Sequence, residues 1–299
     1  MTYHVPVLLA ESIEGLNIRP DGTYVDLTYG GGGHSRRILE HLGKKGKLYA
    51  FDQDEDALTN AFDDKRFTLI RGNFKYFRNF LRYYKVDRVD GILADLGVSS
   101  FHLDTPERGF SFRFEGPLDM RMNKQASLTA KTVVNSYSIE ELSRIFNQLG
   151  ELPDGRRFAQ AIFDGRKAKQ VETIEELTQL LKPLVPDKFQ SKTLAKIFQA
   201  LRIEVNHELD VLKSMLAGSA QCLNREGRLV VISYHSLEDR LVKNFLKFGN
   251  FEGEDKPDLM GNRLVPFEQV NRKVIIPSSD EISANKRARS AKLRIGRRL

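Results

Sequence analysis

Four short apolar runs in the first hundred residues, 24–28, 47–51, 67–70 and 89–94, are separated from one another by single helical patterns. Strands joined through single helices pair in parallel with right-handed crossovers, so this rhythm restricts the chain to a doubly wound α/β sheet. The intervening helices are expected over Ser35 to Leu42, Asp54 to Phe62, and a stretch with aromatic faces through Phe74, Phe77, Phe80 and Leu81.

After Leu96 the rhythm breaks. The segment GVSSFHLDTPERGFSFRFEGPLDMRM is rich in Gly, Pro, Ser and charge and reads as a long ordered loop or lid. From about Thr129 to Ala217 the patterns are helical only, ending in one long helix with an apolar stripe through Leu194, Phe198, Leu201, Val205, Leu209, Leu212 and Leu216. Strand character resumes at Arg228 to Ser233, followed by SLEDRLVKNFLK, where Ser236 and Asp239 have capping-box spacing. Late strands are expected at Lys273 to Ile276 and Ala291 to Ile295. The expected division is an α/β domain over 1–106 and 210–299, interrupted by a loop and helical insert over 107–209.

A chain of 299 residues with 40% hydrophobic and 29% charged composition can bury a full core. Its first residues form no basic n-region with a long apolar run, and no segment reaches the roughly 18 apolar residues of a membrane span, so no membrane partner and a cytoplasmic location are expected. Cys222 is the only cysteine, which excludes disulfides and thiolate metal cages within one chain and reads as a buried small hydrophobe. Residues 1–270 balance at 38 basic and 38 acidic, whereas residues 271–299 hold nine basic residues against Asp280 and Glu281. A tail of that charge attracts polyanions, unless it is only a solvated end.

The strand ending near Asp26 runs into Gly30 to Gly33 and a helix, which places glycines at the carboxyl edge of the sheet, where open α/β folds bind ligands. The dinucleotide fingerprint fails, because Ser35 or Arg36 stands where its third glycine belongs, and a P-loop fails because HSR replaces G-K-[ST]. Asp52, some twenty residues on in FDQDED, is placed to accept from ribose hydroxyls. A nucleoside without a pyrophosphate satisfies both facts, and S-adenosyl-L-methionine is the common one; the bland alternative is a tight turn before an acidic helix start. Asp95 stands at the carboxyl end of the fourth run, catalytic or a cap for the next turn, and His34 either approaches the ligand or caps locally. The six histidines form no compact metal pattern, and His235 with Glu238 is a weak pair, so no metal is expected. In the long loop, Arg108, Arg113 and Arg121 interleave with Phe110, Phe112 and Phe114, a pattern suited to phosphate contacts and base stacking or, equally, to a core stripe.

These residues resemble the bacterial small-subunit rRNA (cytosine-N4) methyltransferases that modify a cytidine in the decoding centre of 16S rRNA, the MraW family. The likeness runs over nearly the whole chain: HVPVLLAE (4–11), GGGGHS (30–35), DLGVSS (95–100), RGFSFR (108–113), GPLDMRM (116–122), FQALRIEVNHEL (198–209), ISYHSLEDR (232–240) and NKRARSAKLR (285–294). It implies a Rossmann-like domain that uses S-adenosyl-L-methionine and carries an all-helical insert. It also implies cofactor contacts at Gly32, Gly33, His34, Asp52 at the ribose, Phe74 near the adenine, Asp95 by the sulfonium, and His102. The chain departs mildly from the family pattern at Gly31, often Arg, at His102, often Gln, and at Tyr234, commonly Phe.

The implied chemistry needs an acceptor for a proton of cytosine N4, whose lone pair is delocalised into the ring, and Asp95 is the candidate. The implied partner is 16S rRNA, within the small ribosomal subunit, met by Arg108, Phe110, Phe112, Arg113, Arg121, Arg287, Arg289 and Lys292, with the insert walling the base side of the crevice. A methyltransferase acting on protein or small molecules would not need the basic tail, and a non-catalytic RNA-binding factor would not need the glycine turn. Oligomeric state is not legible in the sequence.

Overall fold

In the computed structural model the four apolar runs are strands, β1 Thr23–Asp26, β2 Lys47–Asp52, β3 Phe67–Arg71 and β4 Val89–Asp95. Leu223–Ser233 is β5, Phe267–Gln269 β6 and Lys292–Arg298 β7. The structure describes residues 6–255, 257, 261 and 265–299; His4 and Val5 of the first family motif lie outside the described residues. The strands form one sheet in the order β3-β2-β1-β4-β5-β7-β6, parallel from β3 through β5, with β7 antiparallel to both of its neighbours.

Side chains alternate along each strand, and here both faces are covered, which explains why the runs read as continuously apolar. Val25, Ile92, Ala94, Leu229 and Val231 face one layer, which contains Phe77, Met215, Leu216, Val242 and Phe245. Tyr24, Leu93, Val230 and Ile232 face the other, with Ile13, Leu16 and Ile38.

The chain divides into two compact units, Met1–Gly97 with Leu209–Leu299, and Val98–Glu208. The first boundary falls earlier than the expected 106/107, because Val98 and Leu103 already pack on the helical unit's core, where Phe110 is buried. Within that unit the helices Ile139–Gln148 and Ile174–Leu181 each begin with a complete capping box, Ser138 with Glu141 and Thr173 with Glu176. Each box satisfies two amide donors that a helix start otherwise leaves unpaired.

Several expectations change. The long apolar stripe is two helices, Asp187–Asn206 and Glu208–Cys222, broken at His207, whose φ of 50° is left-handed. The helix expected over 54–62 is one turn, Glu55–Leu58, while a helix at Leu9–Leu16 and the strand β6 were not expected. Of the strand expected at Lys273 to Ile276 there is a single bridge, Ile275 to Leu293. The tail is not a solvated end, since its last segment is β7, inside the sheet. Arg294 pairs with Asp239 at 2.7 Å, Lys292 reaches the same carboxylate at 3.5 Å, and Arg298 donates to the Ala220 carbonyl at 2.8 Å. Asp239 therefore anchors β7 rather than closing a capping box. Among the described residues no helix is long and apolar enough to cross a membrane.

Candidate active site

The chain leaving β1 bonds first to one neighbour and then to the other. The Leu27 amide donates to the Leu93 carbonyl and the Tyr29 amide to the Phe51 carbonyl, each at 2.9 Å. The glycine turn therefore rises above β1 itself, between the ends of β2 and β4, where connections depart in opposite directions and ligands bind. Gly32 has a φ of 75°, and a Cβ there would also meet the Tyr29 hydroxyl at 2.7 Å; a Cβ on Gly33 would lie 2.2 Å from Pro6 Cγ. These two glycines are needed for backbone conformation and close packing, whereas Gly30 and Gly31 border open space. That open space leaves the backbone of the turn accessible to a ligand.

Asp52 closes the turn from the side. Its Oδ2 accepts from the Gly30 amide at 2.8 Å and its Oδ1 from the Asp54 amide at 2.9 Å, so the carboxylate is held at the carboxyl end of β2. Phe74 follows at the end of β3, in a short turn capped by Asn73, and is partly buried on the core.

On the other side of the turn three acidic and hydroxyl groups interlock. Buried Asp26 accepts from Ser35 Oγ at 2.7 Å and from the Thr28 amide at 3.1 Å, and the Thr28 hydroxyl in turn accepts from the Asp95 amide at 2.7 Å. Burial pushes the Asp26 carboxyl up to about 6 despite the Ser35 and Thr28 hydrogen bonds. Asp95 keeps 23% of its side chain exposed, accepts from the Tyr234 hydroxyl at 2.8 Å on Oδ1, and turns Oδ2 toward His34 Nδ1, 3.9 Å away. Burial pushes its carboxyl up to about 7, the Tyr234 hydrogen bond opposes this, and the charges of Asp26 and Glu238 reinforce it.

His34 is buried, and that burial lowers it to about 4, so it is neutral near pH 7. Its Nε2 lies 3.2 Å from the Val7 carbonyl, a partner that can only accept, which assigns the proton to Nε2 and leaves a lone pair on Nδ1 facing Asp95. No imidazolium stabilises the Asp95 charge. Its ionisation depends instead on Tyr234, which the sequence reading noted only as a family departure. Tyr234 arrives just after β5, and Asp26 with Ser35 was likewise not singled out; a polar residue ending each of two adjacent strands was the available signal for both aspartates. Replacing Tyr234 by Phe is expected to move the acidic limb of the pH–rate profile upward by about one to two units, since a hydrogen bond to a charged acceptor is worth about 1.5–3 kcal/mol and each pKa unit about 1.4. A limb that stays in place would show that the hydroxyl does not tune Asp95.

The remaining expected site residues lie in the helical unit or on β7 and its approach. His102 is buried on the helix Ser100–Asp104, its ring centroid 4.9 Å from that of Phe110. Arg108 is buried and donates to the Arg121 and Met122 carbonyls at 3.0 and 3.1 Å. Phe110 is core, Phe112 meets Phe198 edge-on at 5.5 Å, and Arg121 pairs with Asp119 at 2.7 Å. Phe110 and Phe112 thus follow the core reading, because this part of the loop is folded into the helical unit, whereas Phe114 is 41% exposed. Arg113 and Arg289 are exposed, Arg287 is half-buried, and Lys292 is paired with Asp239.

A seven-stranded sheet with its last-numbered strand inserted antiparallel, a glycine turn above β1, an acid at the end of β2 and a raised carboxyl at the end of β4 define a Rossmann-like methyltransferase domain, here carrying a helical unit within it. The chain belongs to the MraW methylase family, whose family model matches residues 1–299. It is 58% identical over 295 residues to ribosomal RNA small subunit methyltransferase H of Bacteroides thetaiotaomicron, covering 99% of this chain and 97% of that one. It is 54% identical over 299 residues to the protein of the same name from Flavobacterium johnsoniae, covering 100% and 99%. The methyl donor of the family is S-adenosyl-L-methionine.

Proposed function

We propose that this chain methylates the exocyclic N4 of one cytidine in the decoding centre of 16S rRNA, acting in the cytoplasm on the small ribosomal subunit or its RNA. The observation that carries the chemistry is Asp95, a partly exposed carboxyl at the strand end whose proton affinity is raised to about 7. The relatives' names, at 54–58% identity along the whole chain, support the RNA substrate.

The donor supplies a methyl carbon on a positive sulfonium, a charge that disappears on transfer. Asp52 would accept from the ribose hydroxyls, Phe74 would cover the adenine, and Gly32, Gly33 and His34 would shape the turn beneath. Asp95 accepts a proton from N4 as attack begins, localising the amine lone pair, and Tyr234 keeps Oδ1 occupied so that the carboxylate presents a fixed orientation. The RNA is held by Arg113, Arg287 and Arg289, while Arg108, Phe110, Phe112, Arg121 and Lys292 act by keeping the helical unit and β7 in shape.

Asp52→Ala is expected to weaken donor binding about ten- to a hundredfold, the worth of a hydrogen bond to a charged acceptor. Calorimetry measures it, and unchanged affinity in the folded variant removes Asp52 from the site. The function is tested by incubating the purified protein and labelled donor with unmodified small subunits and with free 16S rRNA, then mapping the product nucleoside by mass spectrometry. N4-methylcytidine at one decoding-centre position is expected; label on a base carbon, a ribose or protein alone overturns the proposal.

A further inference from the structure

Outside the site already described, the side of the sheet at β3 carries a groove of about 640 Å³. β3 is an edge strand, paired only with β2, and the groove lies between it and the helix Phe77–Tyr83. Tyr76, Phe80, Tyr83 and Tyr84 line it together with Leu69 and Arg71, and none of Gly30 to His34, Asp52, Phe74 or Asp95 does. Phe80 packs on the core, but the three tyrosines stand out from it. Tyr76 is 53% exposed, Tyr83 79% and Tyr84 40%, in a protein whose other tyrosines include the fully buried Tyr24.

The charge around these rings is predominantly positive. Residues 71–88 hold six basic side chains against the single acid Asp87, although residues 1–270 as a whole are neutral. Arg71 is engaged by Glu55 and Arg78 by Gln221, and Arg82 lines a separate hollow with Val86 and Cys222, whereas Lys75 and Lys85 lie exposed, each next in sequence to a ring of the groove, Lys75 with its ammonium 5.6 Å from the centre of the Tyr76 ring. Flat, exposed rings flanked by cations match a chain of unstacked bases on a phosphate backbone. An acidic peptide would answer the cations and leave the rings without a stacking partner. A second copy of this chain, docked about a two-fold axis, would bring two basic faces together.

We propose that this groove binds a single-stranded segment of RNA, with bases stacked on Tyr76 and Tyr83 and phosphates met by Lys75 and Lys85. The proposal rests on the reading of RNA as substrate and adds a second point of attachment away from the methyl-transfer site. The 3-10 turn Phe74–Tyr76 joins the two, running from the carboxyl end of β3 to the first ring of the groove.

The probe is fluorescein-labelled dodecauridine, followed by anisotropy at several salt concentrations. The paired variant Tyr76→Leu/Tyr83→Leu, conservative at exposed positions, is expected to lose roughly tenfold or more in affinity. Lys75→Ala/Lys85→Ala is expected to weaken binding and make the logarithmic salt dependence shallower by about 1.4, two single-strand phosphates at about 0.7 each. Donor affinity and melting temperature should match the parent in both. Parental affinity in both pairs, no binding of the probe by the parent, or a parental dimer that the tyrosine pair dissociates overturns the proposal. Methylation of small-subunit rRNA is scored in the same preparations. Probe binding through the groove without rRNA methylation sinks the substrate reading and leaves the groove standing; rRNA methylation with indifferent groove variants does the reverse.

Discussion

Asp95→Asn is expected to slow single-turnover methyl transfer at saturating donor by about a hundredfold or more, since a positioned proton acceptor contributes about 10²–10⁴. The amide preserves shape and can still accept from Tyr234, so the loss isolates the carboxylate's ability to take a proton. In the parent, the rate should rise with pH through the region of the Asp95 carboxyl, about 7, and then level off, because the deprotonated form is the acceptor. The limb in kcat should lie below that in kcat/KM, because a bound sulfonium nearby favours the carboxylate. Quenched single turnovers across pH 5 to 9, with donor affinity measured separately by calorimetry, divide chemistry from binding. A folded variant that transfers at the parental rate, or a parental profile flat across neutrality, removes Asp95 from the proton's path.

What could be read from sequence follows from how local each determinant is. Strands β1 to β4 were legible because burial on both faces leaves an uninterrupted apolar run, and the run's end marks the sheet's carboxyl edge, where Asp52 and Asp95 stand. The break at His207 was not legible, because a left-handed histidine leaves the stripe from Leu194 to Leu216 in register on either side of it. The tail was only partly legible for a related reason. Counting its charges missed that Asp239 and other distant groups take up Arg294, Lys292, Arg297 and Arg298 within the sheet. The loop's aromatics were ambiguous in sequence because rings interleaved with arginines suit a core edge as well as a nucleic-acid face, and Phe198, 86 positions after Phe112, decides that pair. The Tyr234 hydroxyl on Asp95 joins residues 139 positions apart and depends on β5 lying beside β4, a fact of topology rather than spacing.

That same carboxylate should cost the folded protein stability, and the cost should depend on pH. With a folded-state value of about 7 against an ordinary 3.8, Asp95 holds its proton in the native state over a range where the unfolded chain has released it. The sign follows from linkage. Its favourable contribution is fully present below about pH 4 and is lost as pH rises through about 7, by an amount on the order of 2–4 kcal/mol at about 1.4 kcal/mol per unit. His34 acts oppositely. Its value is depressed to about 4, so the stability linked to it is present above about 6.5 and lost as pH falls through about 4, which obscures the Asp95 effect in the parent's own curve. Comparing parent with Asp95→Asn cancels the His34 contribution, because that ring and its Val7 contact remain. The variant should therefore melt on the order of 5 °C above the parent at pH 8, at about 2 °C per kcal/mol for a chain of this size, with the difference shrinking toward pH 4. Scanning calorimetry at pH 4.5, 6 and 8 measures it. A difference that does not grow with pH means that Asp95 is an ordinary ionised carboxylate, and its raised proton affinity cannot then be what suits it to accept from N4.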